Sequence, residues 1–115
     1  MMNYTLPYEY HIPAEGDKVN NIKVRLYYDL GGMNYFTGRA EERGYYLSVT
    51  PVYREDRGGC VMESVTAFTG TKILLVPVKR QSKKAADEAF AMMTTRADDL
   101  INYVCNDQGI KILEE

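Results

Sequence analysis

Apolar and polar positions alternate with a period of two through most of the first two thirds of the chain, then recur at three- and four-residue steps in the last third. The first pattern belongs to half-buried strands and the second to a helix with one apolar stripe. The densest strand signal runs from Gly44 to Val78, where GYYLSVTPVYRE, GGCVMESVTAFTG and TKILLVPV read as three consecutive strands over 44–54, 60–68 and 71–78. Tyr45, Leu47 and Val49 share one face of the first, and Tyr46, Ser48 and Thr50 share the other. Thr69-Gly70 leaves room only for a tight connection, so the spacing predicts a hairpin between the second and third segments. Ile73-Leu74-Leu75-Val76 is apolar on both faces, as in a strand covered from both sides or one whose second face meets a partner. Pro51 and Pro77 lack a ladder donor and belong at strand ends, bulges or edges.

Two earlier strands precede these. Tyr4, Leu6, Tyr8, Tyr10 and Ile12 alternate with Thr5, Pro7, Glu9 and His11, which predicts a strand over 4–12 with Pro7 marking it as an edge. Over 22–30, Ile22, Val24, Leu26, Tyr28 and Leu30 point inward, and Lys23, Arg25, Tyr27 and Asp29 outward. The polar stretch between them, Pro13 to Asn21, reads as a loop closing a hairpin. At the other end Ser82 caps a helix over 82–106, with Ala86, Ala89, Phe90, Met93, Ala97, Leu100, Ile101 and Val104 in one stripe. Asn106 and Gly109 provide its stop, and Ile110 to Leu113 forms a short edge strand. Such a helix is roughly 37 Å long, comparable with the ~33 Å of a ten-residue strand, so it can lie along a sheet. The expected fold is α+β: one domain over 1–115, with an antiparallel sheet of four to six strands and one long C-terminal helix packed on one face. The other face, carrying Tyr27 and Tyr46 among lysines and arginines, is expected to stay open to solvent or a partner.

Composition narrows the function classes. A chain of 115 residues suits one domain whose core needs no metal or disulfide. A net charge of −2 gives no whole-molecule attraction to nucleic acid or anionic membrane, so any such binding requires a local patch. No apolar run approaches the roughly 20 residues of a membrane span, and MMNYTLPYEY lacks the basic and apolar regions of a signal peptide. The expectation is a cytoplasmic protein with no membrane partner. Cys60 and Cys105 have no metal-like spacing and read as partly buried thiols. Ten tyrosines without a tryptophan is the one unusual count, useful both in interfaces and in small β-rich cores.

Two stretches carry candidate sites. Gly31 to Arg43, GGMNYFTGRAEER, holds large side chains between three glycines. It reads either as a turn that tucks Met33 and Phe36 under the sheet edge or as a recognition loop presenting Tyr35, Phe36 and Arg39. Lys79, Arg80, Lys83 and Lys84 form the one concentrated basic segment. Lysines in a first helical turn oppose the macrodipole. Their placement fits either an anion held with free backbone N–H groups or a solvated end paired with Asp87 and Glu88. For catalysis the inventory is thin. His11 is the sole histidine, Asp98 and Asp99 diverge as helix neighbours, and neither Gly31-Gly32 nor Gly58-Gly59 fits a phosphate-binding fingerprint. No enzyme, metal site or cofactor is expected.

The strands followed by SKKAADEAFAMM resemble the C-terminal part of a double-stranded-RNA-binding domain, whose last helix opens on a Lys-Lys-x-Ala pattern that grips phosphates. This resemblance implies phosphate contacts from Lys83 and Lys84. More broadly, YYDLGGMNYFTGRAEERGYYLSVTPV and FTGTKILLVPVKRQSKKAADEA, within residues 24–90, are similar to small accessory proteins carried by phages, plasmids and conjugative elements of gut Firmicutes. That likeness implies a mobile-element protein that interferes with host machinery such as a defence system, and it carries no catalytic residue. The functional expectation is a non-enzymatic module binding a host or element protein through Tyr35, Phe36 and Arg39. The alternative is nucleic-acid binding, with Lys79, Arg80, Lys83 and Lys84 on phosphate and tyrosines stacking on bases. Homodimerisation through an open sheet face is compatible with both.

Overall fold

The computed structural model describes residues 6–35, 38–57, 59–64 and 70–113, with the backbone alone for 55–57 and 60–64. The chain forms β1 (Tyr8–Gly16), β2 (Val19–Asp29), β3 (Gly32–Asn34), β4 (Arg39–Glu41), β5 (Gly44–Arg57), β6 (Cys60–Ser64), β7 (Thr71–Pro77), α1 (Lys83–Gln108) and β8 (Lys111–Ile112). An antiparallel sheet runs β6-β5-β2-β1-β8, with β7 also paired to β5, while β3 and β4 make a separate two-stranded ribbon. The architecture is α+β, with the helix on one face of the sheet.

The register of the two central strands explains the core. Ile22 lies opposite Pro51, Val24 opposite Val49 and Leu26 opposite Leu47, and all six are fully buried. Burying an aliphatic side chain of this size contributes about 1.5–3 kcal/mol. α1 lies close against this surface because Ala85, Ala86, Ala89 and Ala97 are small, while Met93, Ile101 and Val104 fill the space between. At 26 residues the helix is about 39 Å long. Ser82 Oγ accepts the Ala85 N–H at 3.1 Å, and Gly109 closes the C-terminus in the left-handed region at φ 65°. The helix runs two residues beyond the expected end, and β8 then pairs with β1 at Ala14 and Glu15.

The pairing of the second segment with the third that the expected hairpin requires is not seen among the described residues, and Thr69 lies outside them. β6 pairs with Tyr53–Arg57 and β7 with Gly44–Val49, so both lie along the same side of β5. The reversal falls earlier, between Arg57 and Cys60, where Gly59 takes φ 93°. β5 therefore runs three residues beyond the expected end at 54, to Arg57. A Cβ on Gly70 would stand 2.6 Å from Thr50 Oγ1, so the glycine lets the chain pass close to Thr50. Pro51 lies inside β5, opposite Ile22. An irregularity between Tyr45 and Tyr46 places one extra residue on β7. Leu75 and Val76 are consequently both buried in the core, and the apolar run needs no partner on its second face to account for it.

Two further differences have the same origin. Pro13 to Asn21 is not a loop: β1 continues to Gly16 and β2 starts at Val19, with Lys18 at φ 62° in the turn. Register shifts at Pro13/Gly16 and Val19/Asn21 break the simple alternation there. Leu30, expected inward by extending the β2 pattern, lies past the strand end and is exposed.

Candidate functional site

The face of the sheet opposite α1 carries a row of side chains set by strand register. Tyr27 of β2 stands opposite Tyr46 of β5, and their rings stack with centroids 6.0 Å apart and 20° between planes. The Arg25 guanidinium lies 5.0 Å from the Tyr27 ring, and Lys72 Nζ lies 5.0 Å from the Tyr46 ring. Lys72 also pairs with Glu41, which accepts a hydrogen bond from Asn34 Nδ2. The row thus links β2, β5 and β7 to the β3–β4 ribbon. Tyr46 is only 6% exposed, and its hydroxyl donates to the Glu42 carbonyl at 2.6 Å. The expectation of open tyrosines on this face is therefore corrected: each ring is flanked by the other ring and by a cation.

The electrostatics follow from this packing. Burial first, and the Asp29 carboxylate second, push Tyr27 up to about 12. Tyr46 is raised by burial and then by Glu41. Hydrogen bonds from Lys72 and then Asn34 hold Glu41 below the usual carboxylate range.

The ribbon projects from one end of this row. Asp29 Oδ1 accepts the Gly31 N–H at 2.7 Å. Gly31 adopts φ 75°, and a Cβ there would lie 2.6 Å from the Glu41 carbonyl oxygen, so glycine is required for β3 to leave the sheet beside β4. Asn34, Glu41 and Lys72 then tie the ribbon down to β7. A recess of about 300 Å³ beneath it is lined by Asp29, Met33, Asn34, Tyr35, Glu41 and Lys72. On the outer surface Tyr35 is 92% exposed, Leu30 67% and Met33 56%. The expectation that Met33 tucks under the sheet edge is overturned. Tyr35 directly follows β3 and Arg39 opens β4, and Phe36 lies outside the described residues.

A second, larger groove of about 600 Å³ opens beside the ribbon, between the exits of β2 and β7. Arg43 spans it, donating from Nε to the Leu30 carbonyl at 3.0 Å and from Nη1 to the Lys79 carbonyl at 3.3 Å. The Val78 N–H donates to the Arg43 carbonyl at 3.2 Å. Lys79, Arg80, Lys83 and Lys84 are exposed on the β7–α1 connection and the first turn of α1. Among the described residues Lys83 alone of these meets a carboxylate, Asp87 at 3.4 Å. The fold therefore gathers both sequence-predicted sites at one end of the sheet. Sequence reasoning missed the residues that join them, Leu30, Glu41, Arg43 and Lys72, because their proximity depends on which strands pair.

Of the residues weighed for catalysis, the Cys60 side chain lies outside the described residues. His11 lies on the uncovered face, with Nδ1 2.7 Å from Asn21 Oδ1 and Nε2 3.2 Å from Glu9 Oε2. Cys105 is buried in the core on α1, where burial pushes its thiol up, so the sheet separates it from His11. Among the described residues no group of three or more His, Cys, Asp and Glu is placed to hold a metal ion. No described helix is long and apolar enough to cross a membrane. Comparison with protein-family models, curated proteins and solved structures finds no match to this chain.

Proposed function

We propose that the protein is a non-catalytic, protein-binding module of a mobile genetic element, acting in the cytoplasm and binding a host or element protein through the β3–β4 ribbon. The single observation that carries this reading is the exposure of Met33 and Tyr35 on, and of Leu30 beside, a ribbon braced to the sheet through Asn34, Glu41 and Lys72. Apolar and aromatic side chains held in water on a rigid support lose little conformational freedom on binding and anchor interfaces well. The element origin rests on the resemblance of residues 24–90 to mobile-element accessory proteins, and interference with a host defence system is the role that resemblance implies.

The test is capture from host cells by the wild-type chain and by Tyr35→Ala with Met33→Ser. A partner retained by the wild type should be lost from the variant while the thermal unfolding midpoint stays unchanged. A partner retained equally by both would remove the ribbon from the interface.

Nucleic-acid binding is the second reading, and the exposed cations Lys79, Arg80 and Lys84 favour it. Against it stand the ring faces of Tyr27 and Tyr46, already flanked by one another and by Arg25 and Lys72, and the acidic Glu42 in the groove beside the basic segment. Binding of single-stranded RNA or DNA at low salt, steeply weakened by added salt, would establish it.

A further inference from the structure

We infer that the groove between the β2 and β7 exits takes a short peptide segment in which an apolar side chain is flanked by carboxylates. The inference rests on the protein-binding reading and names the chemistry of the partner. The groove floor is apolar: Leu30, Pro77 and Val78 come together there because Arg43 ties the end of β2 to the end of β7. A volume near 600 Å³ suits one or two large apolar side chains. Of the carboxylates in its lining Glu41 is paired with Lys72; the cations are Arg43 and Lys79 in the lining, with Arg80 and Lys84 exposed on the connection and first helical turn that follow. Among the described residues none of these four lies within 4 Å of a carboxylate, in contrast to Lys83 and Lys72, which are paired. Arg43 spends its donors on two backbone carbonyls, which carry no net charge, so its positive charge is left uncompensated.

An apolar floor beside uncompensated cations fits a ligand of the reverse description. Carboxylates on a peptide can reach Lys79 and Arg80 one at a time while their apolar neighbour enters the groove. A nucleic-acid strand fits less well, because its charged backbone leaves the apolar floor of Leu30, Pro77 and Val78 uncovered, whereas a peptide's apolar side chain removes that floor from water. Complementary charge at an interface rim acts mainly on encounter rate and selectivity, so it selects among apolar peptides more than it tightens any one of them.

The experiment is selection of the intact chain against a random peptide library, followed by titration of an enriched, fluorescein-labelled peptide. The expected result is enrichment of sequences with Asp or Glu beside Leu, Ile, Met or Phe. Binding should weaken about tenfold in Lys79→Glu with Arg80→Glu, and about tenfold in Leu30→Ser. The charge-reversed pair should also lose most of the salt dependence. All three positions are exposed, and unchanged unfolding midpoints would separate lost binding from lost folding. Enrichment of basic or uncharged peptides, no enrichment at all, or affinity indifferent to these variants would overturn the inference. A labelled single-stranded DNA oligonucleotide that binds more tightly than the peptide and is lost in the same variants would overturn it in favour of phosphate. If the Tyr35 and Met33 substitutions abolish capture of a partner while the groove variants change nothing, the ribbon reading survives and this one does not.

Discussion

Tyr45 and Tyr46 are neighbours on β5, point to opposite faces of the sheet, and are 1% and 6% exposed. They reach nearly the same burial by different means. Tyr45 lies under α1, edge-on to Tyr28 at 5.2 Å, with its hydroxyl 3.4 Å from the Ser82 carbonyl at the helix start. No described helix lies above Tyr46. Tyr27, Lys72 and the ribbon around Glu41 and Glu42 cover it instead. One face is thus closed by close-packed aliphatic contact and the other by a row of stacked rings, cations and a carboxylate. The two kinds of cover should fail differently, since cavity formation is costly in a dry core whereas a solvated polar row can rearrange and admit water.

The largest effect is expected on the helix side. Leu47→Ala, at a fully buried position facing Leu26, should cost about 2–5 kcal/mol in chemical denaturation. Ala89→Leu at another fully buried site should cost about 1–3 kcal/mol by forcing α1 away from the sheet. On the other face Tyr46→Phe removes the hydrogen bond to the Glu42 carbonyl and should cost about 1 kcal/mol. Arg25→Ala should cost under about 1 kcal/mol, the scale of an exposed cation–π contact. An Arg25→Ala loss as large as that of Leu47→Ala would abolish the distinction between the faces.

Titration sharpens the contrast further. Because Glu41 is lowered by Lys72 and Asn34, its contribution is present above the ordinary carboxylate pKa and is lost as pH falls through the folded value. Lys72→Ala should return the Glu41 carboxyl toward its ordinary range, read by its NMR titration. Tyr27 has the opposite sign: its pKa is raised to about 12, so its contribution is full below the ordinary phenol value and is lost as pH rises through the folded one. Tyrosinate absorbance should show a late-ionising group that Tyr27→Phe removes.

Much of this was legible in the chain. Alternation in Ile22, Val24 and Leu26 and in Tyr45, Leu47 and Val49 marked the core side of both central strands, because a period of two assigns faces without knowledge of the neighbours. Ser82, the alanine-rich stripe and Gly109 marked the helix for the same local reason. Pairing was not legible. Thr69-Gly70 has the chemistry of a turn, yet Gly70 serves a close approach to Thr50, a demand imposed by a residue twenty positions away. Tyr35 and Arg39 were singled out from their glycine-bounded loop, but Leu30 was misassigned, since alternation cannot say where a strand stops.

By itself the sequence determined which residues face a core, where the helix starts and stops, and that basic and aromatic side chains cluster in two short stretches. These are consequences of backbone period and capping, which act within a few residues. Only the tertiary structure decided that β6 and β7 share one side of β5, that Tyr27 and Tyr46 are locked between cations, and that the ribbon and the basic segment meet at one end of the sheet. Those outcomes depend on which strands become neighbours, and that choice is made by the summed packing of residues far apart in the chain.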